Sequence, residues 1–312
     1  MAANRMHFRN TVHFITNRTE HEMLFLLPTE RINELVKGWF ARALNKHGKG
    51  LEVYAFIFLS NHFHLVVNDT KGTLADFMGY LQGNIAKAVN REIGRKGRFW
   101  VREYDDVIVH GDDALIDRYA YTIGNAVKAG LVNTSAEWIG WSSFEGAMSD
   151  GKYSFEMLNR TKLHNATRRG QKVDVSKFIE RWEFSLTTPP FLEGKTKEET
   201  KQFIERLMKS AEAEYHSRRE NKPPLGVQKI LQQSPMDRPK DSEFRPRIKV
   251  YCLDAKKRDE WMDGYRNFVG AYRATFDSYR KASSKGRRPL IEWPEGSYPP
   301  SCRYSIGAEY AS

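Results

Sequence analysis

Apolar residues along the first half of the chain recur with two periods, strict alternation and a 3.6-residue repeat, and the switches between them delimit elements. Residues 9–18 (RNTVHFITNR) alternate, which places Val12, Phe14 and Thr16 on one side of a strand. Pro28-Thr29-Glu30 has the makings of a helix start, and Ile32, Leu35, Val36, Trp39, Phe40 and Leu44 follow at helical spacing up to the glycines at 48 and 50. The run from Val53 to Leu59, a tight turn at Ser60-Asn61, and Leu65-Val66-Val67 predict a strand pair. Thr73 is placed to cap a second helix with Leu74, Phe77, Met78, Leu81, Ile85, Ala88 and Val89 on its apolar stripe, and Gly94-Arg95-Lys96-Gly97-Arg98 breaks it. A short strand at residues 106–110 precedes a helix over residues 113–129 that Gly130 closes. The order β-α-β-β-α-β-α predicts an α+β fold, a ferredoxin-like antiparallel sheet with helices on one face.

After Trp141-Ser142-Ser143 the texture changes, which divides the chain into residues 1–145 and a basic, mostly helical C-terminal region over 146–312. Residues 145–175 are polar and weakly patterned. Helices are predicted at 176–185 and 196–219, the latter opened by a capping box at Thr196-Lys197-Glu198-Glu199. Residues 222–249, rich in Pro, Lys and Arg, read as an extended, solvated connector. Residues 256–284 favour a helix whose stripe of Trp261, Tyr265, Phe268, Tyr272, Phe276 and Tyr279 is expected to face a core.

Composition narrows the possible functions. Hydrophobic residues are 40% and charged residues 29% of 312, as in a soluble globular protein. The longest apolar run is too short to cross a bilayer and the first ten residues carry no apolar signal segment, so a cytoplasmic, non-membrane protein is expected. Cys252 and Cys302 form neither a ligand spacing nor a disulfide framework. Residues 1–159 carry 18 Lys+Arg against 18 Asp+Glu, so the whole net charge of +11 resides in residues 160–312. A neutral first half joined to a basic second half points to a polyanionic partner.

Two stretches carry candidate chemistry. His62 and His64 open a strand two residues apart, so both imidazoles project from one face and Phe63 from the other. Such a pair is half of a metal site, or merely two polar residues on an exposed face. In the helix over residues 113–129 each residue advances about 100°. Arg118, Tyr121, Asn125 and Lys128 therefore share one polar stripe, while Tyr119, Ala120, Ile123, Ala126 and Val127 form the buried side. Tyr119 is expected to pack and Tyr121 to be displayed.

These residues resemble a known family. His62-Phe63-His64 is similar to the His-hydrophobic-His motif of single-tyrosine HUH nucleases. The run from Tyr121 to Val132 (YTIGNAVKAGLV) resembles the Tyr-x-x-x-Asn-Pro-Val-Arg/Lys-Ala-Gly-Leu-Val signature of REP-associated tyrosine transposases. Val12-His13-Phe14-Ile15-Thr16-Asn17-Arg18, Gly97-Arg98-Phe99-Trp100 and Trp141-Ser142-Ser143 match further motifs in order, over about residues 8–145. The resemblance implies a nuclease and strand transferase acting on single-stranded DNA, on hairpins of REP type. Tyr121 would be the nucleophile that forms a 5′-phosphotyrosine, with His62, His64 and Asn125 holding Mg²⁺ or Mn²⁺. The sequence departs from the signature at Ala126, where proline is usual and where alanine should leave the helix straight. It departs again at Glu103, where an arginine is usual, so the phosphate contact passes to Arg102 beside it. Arg18, Arg118 and Lys128 are further candidate DNA contacts. So are Arg95, Lys96, Arg98 and Trp100 of the loop GRKGRFWVREY, in which guanidiniums can neutralise phosphates while rings stack on bases. Arg168-Arg169, Arg218-Arg219, Lys256-Lys257-Arg258 and Lys285-Gly286-Arg287-Arg288 would add affinity for a stem or flanking duplex. Two alternatives stay open: a regulator that binds hairpin DNA without cutting it, and a metal-dependent phosphodiesterase that uses water. The protein is expected to act as a monomer or homodimer.

Overall fold

The alternating stretches form four strands, β1 (Thr11–Arg18), β2 (Leu51–Phe58), β3 (His62–Asp69) and β4 (Asp105–Val109). The structure, a computed structural model, describes residues 10–169, 173–239, 247–283 and 291–297. β1 and β3 pair antiparallel along their whole length, from Thr11 opposite Asp69 to Arg18 opposite His62. β2 adds antiparallel beyond β3, and β4 beyond β1.

Helix α1 (Glu30–His47) begins at Thr29, whose side chain accepts a hydrogen bond from the Ile32 N–H. Helix α2 (Leu74–Glu92) begins after Thr73, but the Thr73 side chain makes no cap bond. The cap is Asp69, whose carboxylate accepts from the backbone N–H groups of Lys71, Gly72, Thr73 and Leu74. A carboxylate arriving from the end of β3 outcompetes a hydroxyl, because it has two acceptor oxygens and a charge that the helix N-terminus favours. In place of one straight helix over 113–129 there are two, α3 (Asp112–Ile123) and α4 (Asn125–Lys128), separated at Gly124. Gly130, at φ +68°, ends α4 as expected, with the Leu131 N–H bonded to the Ala126 carbonyl.

The sheet is buried on both sides. Ile15, Phe63, Leu65 and Val67 pack with Val36 and Phe40 of α1 and with Phe77, Met78 and Leu81 of α2. Phe14, Tyr54 and Val66 pack with Leu115, Tyr119 and Ile123 of α3. The α+β class and the antiparallel sheet with α1 and α2 on one face are as expected; α3 adds a layer on the other face.

Beyond α5 (Phe144–Ala147), the polar stretch forms strand β5 (Lys152–Leu158) and helix α6 (Arg160–Arg168). Residues 176–185, expected as a helix, instead give strand β6 (Ile179–Ser185), antiparallel to β5. Glu180, Trp182 and Phe184 alternate with exposed neighbours, and Phe184 joins Tyr153 and Phe155 of β5 against the core cluster of α1. That is the period of a half-covered strand. Helix α7 (Lys197–Arg218) has its capping box, with Thr196 and Glu199 bonded reciprocally. The expected connector contains a short helix, α8 (Val227–Gln232), whose Ile230 is buried with Ile57, Leu59, Val127 and Trp138. Strand β7 (Val250–Tyr251) then joins β4 in parallel, so the sheet order is β2-β3-β1-β4-β7.

The last helix, α9 (Ala255–Ser283), carries the aromatic stripe; Phe268 is buried and Trp261 packs on the cluster of Ile108, Val250 and Cys252, while the other rings are half-buried and stack along the helix. Trp261 lies 5.5 Å from Tyr265, Tyr272 lies 6.3 Å from Phe276, and Trp293 covers Tyr272 and Tyr279. Cys252 is buried and free. Cys302 and Lys285-Gly286-Arg287-Arg288 lie outside the described residues. Among the described residues no helix is long and apolar enough to cross a membrane.

Candidate active site

Strand register decides what surrounds the histidines. Thr16 stands opposite His64, Arg18 opposite His62 and Phe14 opposite Val66, so alternation puts all of these side chains on the sheet face that α3 covers. The two imidazoles are 5.0 Å apart, centre to centre. His64 is buried, stacks on Phe14 at 5.1 Å, and has its Nδ1 2.7 Å from the Thr16 hydroxyl. Its Nε2 is buried with no hydrogen-bond partner in the protein. His62 is partly buried, with Nδ1 2.7 Å from the Asn61 Oδ1.

The helical stripe meets this pair. The Tyr121 ring lies 5.3 Å from the His64 ring and edge-on to Phe14 at 5.7 Å. The Asn125 side chain is buried one helical turn from Tyr121 and lies close enough to influence both the His62 ring and the Tyr121 phenol. The Arg118 guanidinium sits 4.4 Å and the Lys128 ammonium 4.2 Å from the centre of the Tyr121 ring. Tyr119 is buried beside Phe191 on the opposite side of the helix. The Gly124 break is a packing feature: a Cβ there would come within 2.9 Å of Tyr215 and 3.1 Å of Met208, both on α7.

The electrostatics suit metal binding and nucleophilic attack. Burial, reinforced by the nearby Arg18 charge, pulls the His62 pKa down to about 4. Burial, then His62 and Lys128, hold His64 well below the ordinary histidine value. Both rings are therefore neutral near pH 7, the ligand form. Burial pushes the Tyr121 phenol up, but the Lys128 charge and hydrogen bond, the Asn125 bond and the Arg118 charge outweigh it and leave the phenol below its ordinary value. Among the described residues no three His, Cys, Asp or Glu side chains cluster; the donor set that the sequence resemblance implies is His62, His64 and the Asn125 amide oxygen. The unpartnered Nε2 of His64 fits that donor set.

The remaining sequence candidates fall into two groups. Arg18 projects beside His62 and pairs with Glu22 at 2.5 Å. Lys96 and Arg98 are exposed, and Arg102 is exposed and paired with Asp105 at 2.8 Å. Arg95 and Trp100 are packed into the protein instead. Arg95 bonds to Glu20 at 2.9 Å over the Phe25 ring, while Trp100 donates to the Gln82 carbonyl and packs on Phe63.

Sequence reasoning missed Thr16, Asn61, Asp117 and Tyr251. Tyr251 stacks 3.9 Å from the Arg118 guanidinium and donates a 2.7 Å hydrogen bond to Asp117, which also binds Arg118. Alternation along β1 contained the signal for Thr16. Nothing local signals Tyr251, which reaches the site only through the pairing of β7 with β4.

No family model and no curated protein matches the chain. Among solved structures, the chain is similar to a REP-associated tyrosine transposase bound to a REP hairpin, at 16% identity and TM-score 0.38, covering 56% of this chain and 93% of that one. It is also similar to a protein of Deinococcus radiodurans R1 described as a transposase, at 15% identity and TM-score 0.28, covering 40% of this chain and 97% of that one. A third similar structure is the tRNA(His) guanylyltransferase of Saccharomyces cerevisiae, at 9% identity and TM-score 0.30, covering 67% of this chain and 82% of that one.

Proposed function

We propose that the chain is a metal-dependent, single-stranded DNA nuclease and strand transferase of transposase type, acting on hairpin-bearing DNA through a phosphotyrosine intermediate. One observation carries the reading: the Tyr121 ring lies 5.3 Å from the His64 ring, which in turn lies 5.0 Å from the His62 ring, centre to centre. A phenol and two neutral imidazoles thus stand side by side, the arrangement that attack on a metal-bound phosphate would need.

His62, His64 and Asn125 supply two nitrogens and one oxygen, a set that leaves positions open for phosphate and water and suits Mg²⁺ or Mn²⁺. A bound divalent ion would draw charge from the scissile phosphate and stabilise the departing 3′-oxygen. Arg118 and Lys128 flank the phenol and can neutralise the phosphate as it approaches. The phenol, its pKa lowered by these neighbours, releases its proton to solvent water. The Tyr121 oxygen then bonds to phosphorus, the P–O3′ bond breaks, and the 3′-oxygen takes a proton from water. The 5′-phosphotyrosine keeps one phosphoester bond for another, so a later 3′-OH can reverse the exchange and rejoin a strand.

The test is an SDS-resistant protein–DNA adduct after incubation with Mn²⁺ and hairpin-bearing single strands. Wild type should form it, and Tyr121→Phe should bind the same DNA without forming it. Cleavage by Tyr121→Phe at the wild-type rate would transfer the nucleophile's role to water and overturn the proposal.

A further inference from the structure

Two consecutive residues other than glycine, His21 and Glu22, adopt the left-handed backbone region at φ +53° and +57°, next to the histidine pair. Such conformations are costly for a side chain with a Cβ and persist where the surroundings hold them. Glu22 makes two bonds from this position. Its carboxylate pairs with Arg18, and its backbone carbonyl accepts a 3.1 Å hydrogen bond from the Asn61 Nδ2. The Asn61 backbone is fixed as well, because its carbonyl accepts from the Thr19 N–H at 2.8 Å.

The consequence falls on His62. An amide can present either its oxygen or its NH₂ to a neighbour, but the NH₂ of Asn61 is committed to Glu22, so Oδ1 faces the ring at 2.7 Å. An oxygen can only accept, so the proton of a neutral His62 must sit on Nδ1 and the lone pair on Nε2. His64 differs: its Nδ1 partner is the Thr16 hydroxyl, which can give or take a proton.

We infer that Asn61, oriented by the left-handed turn at His21–Glu22, is a positioning residue that presets His62 in the Nδ1–H form with Nε2 ready to ligate, while His64 is left free to adapt. The inference rests on the proposed role of the two histidines. Partners on the distal nitrogen of a ligating histidine fix its tautomer, and their loss costs metal affinity by about 10–100-fold.

The direct test is ¹⁵N–¹H correlation of the imidazoles in the metal-free protein near neutral pH. Wild type should show His62 with its proton on Nδ1. Asn61→Leu should move the His62 proton toward Nε2 and leave the His64 signals alone. Asn61→Asp, which keeps an acceptor at the same place, should restore the Nδ1–H form. Mn²⁺ titrated alone and followed by paramagnetic resonance should bind Asn61→Leu about 10–100-fold more weakly than wild type. An unchanged His62 tautomer in Asn61→Leu, or a shift that Asn61→Asp fails to reverse, would overturn the inference. If the tautomers behave as stated and wild type binds no Mn²⁺, the preset stands and the proposed function fails.

Discussion

Tyr121 feels burial and cationic neighbours in opposite senses, and the neighbours prevail because two of them lie within about 4.4 Å of the ring. Lys128 contributes its charge, placed 4.2 Å from the ring centre. Replacing it with methionine keeps most of the apolar stem and removes the charge. A cation over an aromatic face contributes about 0.5–2 kcal/mol, so Lys128→Met should slow adduct formation about 2–30-fold. Single-turnover rates with saturating DNA measure this, and an unchanged rate would remove Lys128 from the site. At this scale the sequence is informative wherever a side chain's role follows from its angle on an element. Tyr119 is buried in the core as its angle predicts, whereas Tyr121, about 200° away and expected to be displayed, is half-buried against Phe14 and His64. It is uninformative where two groups compete for one role, as at Thr73, where Asp69 takes the N–H groups. Asn61 shows a second blind spot, since its role depends on a carbonyl thirty-nine residues away.

Among the elements, long periodic ones could be read directly and short ones could not. α1, α2 and α7 have enough turns for the 3.6-residue repeat to declare itself, and α7 also announces its start with Thr196 and Glu199. Removing that cap by Thr196→Ala should cost about 1 kcal/mol, measurable as a shift in urea-induced unfolding with unchanged slope. β6 has only seven residues, with Glu180 at an inward-facing position, so its alternation is incomplete. That glutamate has a structural job. Its carboxylate takes 2.8 Å bonds from Lys162 and Asn159, tying β6 to the start of α6, and Arg42 lies 4.0 Å away. Burial pushes its pKa up, but Lys162, Asn159 and Arg42 outweigh burial and lower it. A lowered folded-state pKa means stability that is present above the unfolded value and lost as pH falls through the folded one. Glu180→Gln should therefore lower the melting temperature at about pH 7 and flatten its decline between about pH 5 and about pH 3. An undiminished acid sensitivity in the variant would assign that decline to other carboxylates.

For the whole molecule, the division at residue 145 follows the texture of the sequence, while the packing crosses it. Tyr153, Phe155 and Phe184 lie on the cluster of α1, Leu192, Ile204 and Met208 share one with Tyr119, and Ile230 closes a third around Trp138. None of these contacts has a local signature, because periodicity marks which face of an element is apolar but not which distant segment covers it. Leu192, Ile204, Met208 and Ile230 are nearly fully buried. Burying four such side chains contributes about 6–12 kcal/mol, the size of a typical domain's whole stability of about 5–15 kcal/mol. A fragment ending at residue 145 should therefore lack a cooperative thermal transition, even though it contains His62, His64, Tyr121 and Asn125. A second fragment ending at residue 239 regains β5, β6, α7 and α8, and should melt cooperatively while losing Tyr251 from beside Arg118. Calorimetry of the two separates the requirements. Cooperative melting of the shorter fragment near the full-length temperature would make residues 1–145 self-sufficient and reduce the later segments to an appendage. Cooperative melting of only the longer one would mean that segments beyond residue 145 are built into the support of the elements that carry Tyr121 and the two histidines.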